Sequence, residues 1–133
     1  MNHKALVISL LLLRASVFLV MFMWMLDKFV NPSHASKVYE AFYFIGGLDA
    51  FTIYTIGIAE LIVLCAFLAG VYKKYTYGAV LLFHGVSTLS SFKQYMSPFD
   101  GPHLLFFAAW PMLAACIALF LLRDSDTKFS LSH

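Results

Sequence analysis

Four stretches of this chain run apolar for close to twenty residues: roughly Ala5–Leu26, Gly46–Ala69, Tyr77–Met96 and Leu104–Leu122. About twenty apolar residues in a helix cross the ~30 Å hydrocarbon core of a bilayer. Composition points the same way. The chain is 62% hydrophobic and only 12% charged, with a mean hydropathy of +0.83, where a soluble domain is nearer 45–50% apolar and ~25% charged. Lipid is therefore the expected solvent for much of the surface. The third stretch is the most polar of the four, because it holds many hydroxyls.

The 133 residues suit a single domain, 1–133, with no repeat or low-complexity tract. The net charge of +2 is spread along the chain, with no basic run to grip nucleic acid. Cys65 and Cys116 stand in apolar runs at neither a CxxC nor a zinc spacing and read as buried small hydrophobes. Ser33-His34-Ala35 has small residues at the offsets of a signal-peptidase site. The apolar run before it is about twice a normal signal core and contains Arg14, so the first helix is expected to be retained.

Charge bias predicts the orientation. With the N-terminus inside, the inner segments hold Lys4, Lys73, Lys74, Arg123 and Lys128, and the outer loops hold Lys28, Lys37 and Lys93. This excess predicts both termini on the cytoplasmic side. In the first outer loop, Asn31-Pro32 is a cap followed by a proline at the first helical position. Beyond it, Ala35, Val38, Tyr39 and Phe42 follow helical spacing, while His34, Lys37 and Glu40 project elsewhere. That pattern predicts a short amphipathic helix lying on the outer face of the membrane or capping the bundle. In "SPFDGPH" (Ser97–His103), Asp100 is positioned to cap the fourth helix, with Pro102 in its first turn.

Ionisable groups at membrane depth usually face the protein interior and have partners. Counting at ~1.5 Å per residue puts Glu60 ~15 Å, Arg14 ~14 Å and His84 ~10 Å from the inner edge. An Arg14–Glu60 pair with His84 nearby is the expectation. On the third helix His84, Ser87, Thr88, Ser91, Gln94 and Tyr95 recur every three or four residues as a polar stripe. Arg14, Phe18, Met21, Met25 and Lys28 share a face of the first helix. The fourth offers His103, Phe107 and Trp110, with Pro111 freeing the Phe107 carbonyl. These faces are expected to line an outward-opening cavity with apolar walls and few polar groups, the usual build of a lipophilic-ligand site. Arg14, Glu60, His84, Thr88, Met21 and Trp110 are its candidate ligand-binding residues. The competing reading is structural: a buried ion pair fixing register and hydroxyls serving as helix contacts. A metal is a weaker alternative. Asp27, His34, Asp49, Asp100 and His103 all fall at the outer edge, but with no HxxxH or HxxE spacing on one helix. Met21, Met23 and Met25 alternate too closely to share one face as a copper array.

Arg14 in the first helix, Lys28 in "LDKFVNP" just after it, Glu60 in the second and the closing Gly70 together resemble the DoxX-like family, across nearly the whole chain. Its members are small four-helix membrane proteins. The resemblance implies an association with membrane redox chemistry, since the member that names the family is a subunit of a thiosulfate:quinone oxidoreductase; other relatives look like assembly factors. It carries no catalytic residue over, and the paired cysteines of related thiol-redox bundles are missing. The expectation is an all-α integral inner-membrane four-helix bundle with a short amphipathic helix in its first outer loop. It would be a subunit or accessory protein of a quinone-linked redox system, with quinone as the expected ligand and a membrane or peripheral redox protein as partner. A non-catalytic assembly or chaperone protein and a small transporter are the alternatives. Nothing in the sequence establishes that the chain is itself an enzyme.

Overall fold

The structure, a computed structural model, describes residues 3–43, 46 and 50–131. It is all-helical, with no strand among the described residues. In chain order the helices are α1 (His3–Val30), α2 (Pro32–Tyr43), α3 (Ala50–Ala69), α4 (Lys73–Ser90), α5 (Phe92–Met96) and α6 (Ala109–Leu121). A 3₁₀ segment (Gly101–Ala108) leads into α6 and a 3₁₀ turn (Arg123–Ser125) follows it. Three segments are long and apolar enough to cross a membrane: His3–Asp27, Phe51–Ala69 and His103–Leu121.

Packing follows helical periodicity. α1 buries Leu10, Arg14, Val17, Met21 and Met25, one stripe at steps of three and four. α3 buries Ile53, Gly57, Leu64 and Phe67, and half-buried Glu60 falls on the same stripe. α4 turns Lys73, Tyr77, Val80, His84 and Thr88 inward. α1 packs on α3, α3 on α4, α4 on α6 and α6 on α1, around a core that includes Leu10, Leu64, Phe67, Val80 and Leu119. The outward faces are also apolar: Leu12, Leu19, Ile62, Leu82 and Leu121 are exposed. Contiguous apolar exterior on this scale is what a surface meant for lipid looks like. Cys116 is in the core as expected, but Cys65 sits on this exterior rather than inside.

Two apolar runs do not form one straight helix each. The third begins early, at Lys73, breaks at Ser91 and resumes as α5. The fourth is 3₁₀ up to Ala108 and α only beyond it. Pro111 has no N–H for the Phe107 carbonyl, so the turn before it has no α-type bond to close on. A 3₁₀ segment rises ~2.0 Å per residue against ~1.5 Å, so the run keeps its reach although α6 is short. Asp100 does stand at the cap position, but its carboxylate makes no capping bond.

Asn31 caps α2 as the Asn-Pro pair predicts: its Oδ1 accepts from the His34 N–H at 3.4 Å. His34, Lys37 and Glu40 are exposed and Val38 is half-buried. The side chains of Lys28, Ala35, Tyr39 and Phe42, and all of Asp49, lie outside the described residues.

Candidate functional site

The polar residues at depth fall into two groups at opposite ends. The first is built where α3 hands over to α4. Gly70 closes α3 with φ +72°. Its N–H bonds the Phe67 carbonyl and the Val71 N–H bonds that of Ala66, both at 3.1 Å, the paired bonds of a Schellman cap. The chain after α6 folds back onto this turn. Ser130 Oγ donates to the Gly70 carbonyl at 3.1 Å, and the Leu131 N–H donates to Ala69 at 2.8 Å. A Cβ at position 70 would run into the Ser130 side chain.

That return carries Asp126, which is 0% exposed, into the protein. Arg14 Nη1 pairs with Asp126 Oδ1 at 3.0 Å, an ion pair whose geometry falls short of a hydrogen bond. Tyr77 Oη donates to Asp126 Oδ2 at 2.6 Å. Lys73 Nζ donates to the Asp126 carbonyl and Arg14 Nη2 to the Lys128 carbonyl, each at 2.5 Å. Arg14 thus meets the Asp126 carboxylate, and two backbone oxygens take up Lys73 and the second Arg14 nitrogen.

The expected Arg14–Glu60 pair is therefore not formed; the carboxylate that meets Arg14 is Asp126. The depth count failed because it set Ala5 level with Gly70. Arg14 reaches Asp126 and Lys128, which lie beside Lys73 and the Gly70 turn, whereas Glu60 is ten residues, ~15 Å, along α3 from that turn.

The second group lies toward α2, in a cleft of about 1290 Å³ between α1, α4, the 3₁₀ segment and α6. Val17, Met21 and Trp24 of α1, Val38 of α2, Leu82 and Phe83 of α4, and Met112 of α6 make apolar wall. Asp27, His34, Glu60, His84 and Ser87 are polar members of the lining. The volume exceeds the ~300–1,000 Å³ usual for small-molecule sites.

His84, only 1% exposed, is fixed from two sides. Its Nε2 bonds the Ala109 carbonyl at 2.9 Å, at the junction of the 3₁₀ segment with α6. Trp24 lies near-parallel to its ring, at 20° and 6.0 Å between centroids. Its Nδ1 is buried and has no hydrogen-bond partner. Thr88 is buried beneath, with Oγ1 bonded to the His84 carbonyl at 2.7 Å, so that hydroxyl is committed to its own helix.

Comparison with protein-family models, with curated proteins and with solved structures finds no match.

Of the candidate ligand-binding residues, Glu60, His84 and Met21 come together on the cleft wall. Arg14 belongs to the tail network. Trp110 packs on Tyr95 at 5.4 Å, with Phe107 against the same ring at 5.2 Å, and Met25 is core. Among the metal candidates, His34 Nδ1 and Asp27 Oδ2 are 2.7 Å apart at the cleft mouth. His103 bonds the Ser97 carbonyl instead, and Asp100 is exposed. Among the described residues no three His, Cys, Asp or Glu converge. The sequence reading missed Trp24, Tyr77, Lys73 and Asp126. Trp24 and Tyr77 look like ordinary interface aromatics, and Asp126 lies in a polar tail that carries no apolar period. One signal was available: Arg14 requires a carboxylate, and the tail supplies two, Asp124 and Asp126.

Proposed function

We propose that the chain is a four-helix membrane bundle of the DoxX-like type that holds a lipophilic, quinone-like ligand in the cleft beside His84. In this reading α1, α3, α4 and the run through α6 cross the inner membrane, with both termini cytoplasmic, and the protein serves as a subunit or accessory of a quinone-linked redox system. The apolar exterior and the lysine and arginine asymmetry support the membrane placement. α4, the most polar of the four, is shielded because it packs between α3 and α6 with its polar stripe inward.

The observation that carries the reading is His84 itself: a buried imidazole with one nitrogen unpartnered, on the wall of an otherwise apolar cleft. A buried polar atom left unpaired costs ~1–3 kcal/mol, and ligand sites are where such atoms find partners. Arg14, Thr88 and Trp110 have no ligand contact in this account. Mass spectrometry of the gently purified protein tests it. An apolar redox-active lipid at near-stoichiometric amounts is expected. Co-purifying membrane proteins with no such lipid would favour the assembly role instead.

A further inference from the structure

His84 is a one-sided hydrogen-bonding group in the cleft. The Ala109 carbonyl can only accept, so His84 Nε2 carries the hydrogen of their bond at 2.9 Å. In the neutral ring Nδ1 is then a bare acceptor, and it has no donor. The Asp27 carboxylate on the wall already meets His34 Nδ1 at 2.7 Å. The Ser16 hydroxyl donates to Leu12 at 2.7 Å and that of Ser91 to Ser87 at 3.1 Å, both within their own helices. Among the described residues of the wall, His84 Nδ1 is the buried polar atom left without a partner.

We infer that the cleft selects a ligand whose head donates a hydrogen bond: a hydroxylated aromatic ring on an apolar tail, its O–H directed to His84 Nδ1 and its ring against Trp24. This rests on the reading of the cleft as a lipophilic-ligand site and specifies its chemistry. A head with carbonyl oxygens alone brings a second acceptor to an acceptor, so a phenol or hydroquinone is held more tightly than its quinone or ether counterpart. Because the imidazole is 1% exposed, the head reaches it by displacing Trp24, which is 47% exposed and lies along its ring.

The test uses the full chain in detergent with Trp110→Phe. Trp110 is off the cleft wall, and the chain has 2 tryptophans, so Trp24 becomes the only indole. Its emission is followed while 4-hexylphenol, or 4-hexylanisole of the same shape without the O–H, is added. Saturable binding of the phenol about tenfold tighter than the anisole is expected, as one buried hydrogen bond allows. With His84→Phe the phenol should fall to the level of the anisole; if that variant does not fold, the ratio in the His84 protein still decides. Equal affinity for the two overturns the donor requirement and leaves the lipophilic site standing. No saturable binding of either overturns both.

Discussion

Arg14 and His84 are each 1% exposed, and by depth alone they looked like parts of one site. Their surroundings separate them. Around Arg14, Asp126 is held by α1 through Arg14 and by α4 through Lys73 and Tyr77, and the Lys128 carbonyl adds a fourth group from the tail. The chain fills this end with its own atoms. Around His84, one nitrogen is satisfied by Ala109 and the other is left without a donor beside a large cleft. A buried ionisable residue in a membrane-type fold is thus no pointer to a ligand by itself. What distinguishes the latch from the site is that the buried charge of Arg14 is matched by Asp126, whereas the unpaired His84 nitrogen stands on the wall of a large cleft.

The comparison is broken most easily at the latch. Asp126→Ala strands Arg14 and removes the acceptor of Tyr77; the expected loss is ~3–5 kcal/mol, read as thermal unfolding in detergent. Arg14→Met combined with Asp126→Leu should be much milder than the sum of the single changes, because the pair leaves together. Arg14→Met with Glu60→Gln should be additive. Strong coupling between Arg14 and Glu60 would return Arg14 to the cleft.

A smaller effect is expected at the hinge of the latch. Gly70→Ala places a side chain at φ +72° and against Ser130. The backbone term is ~1–2 kcal/mol, and the tail has to shift as well. Limited proteolysis should then cut near Ser125 to Ser130 faster than in the unaltered protein, while helices α1 to α6 stay protected. Unchanged cleavage would mean that the tail is held without the Gly70 contact.

Much of the fold was legible because apolar runs and caps are local. Asn31-Pro32 marks the start of α2, and the inward face of α4 follows from the spacing of His84, Thr88 and Ser91. The long 3₁₀ entrance to α6 was not legible: Pro111 announces an unmade bond without saying how the preceding turn will adjust. The candidate site was half legible. Glu60, His84 and Met21 share the cleft because helix periodicity aims them inward. The partner of Arg14 could not be read, since Asp126 is 112 residues distant in the chain (126 less 14) and reaches it only because the tail doubles back. Counting rise along a helix fixes depth only relative to that helix's own end.

The most direct measurement sets the two ends against each other. His84→Asn and Asp126→Asn are purified in parallel, and each is assayed for thermal stability and for bound apolar lipid by mass spectrometry. The account predicts that His84→Asn stays within ~1 kcal/mol of the unaltered protein, the scale of one net hydrogen bond, and loses its lipid. It predicts that Asp126→Asn melts at a lower temperature and, below that temperature, retains its lipid. Lipid retained by His84→Asn and lost from Asp126→Asn would contradict the account.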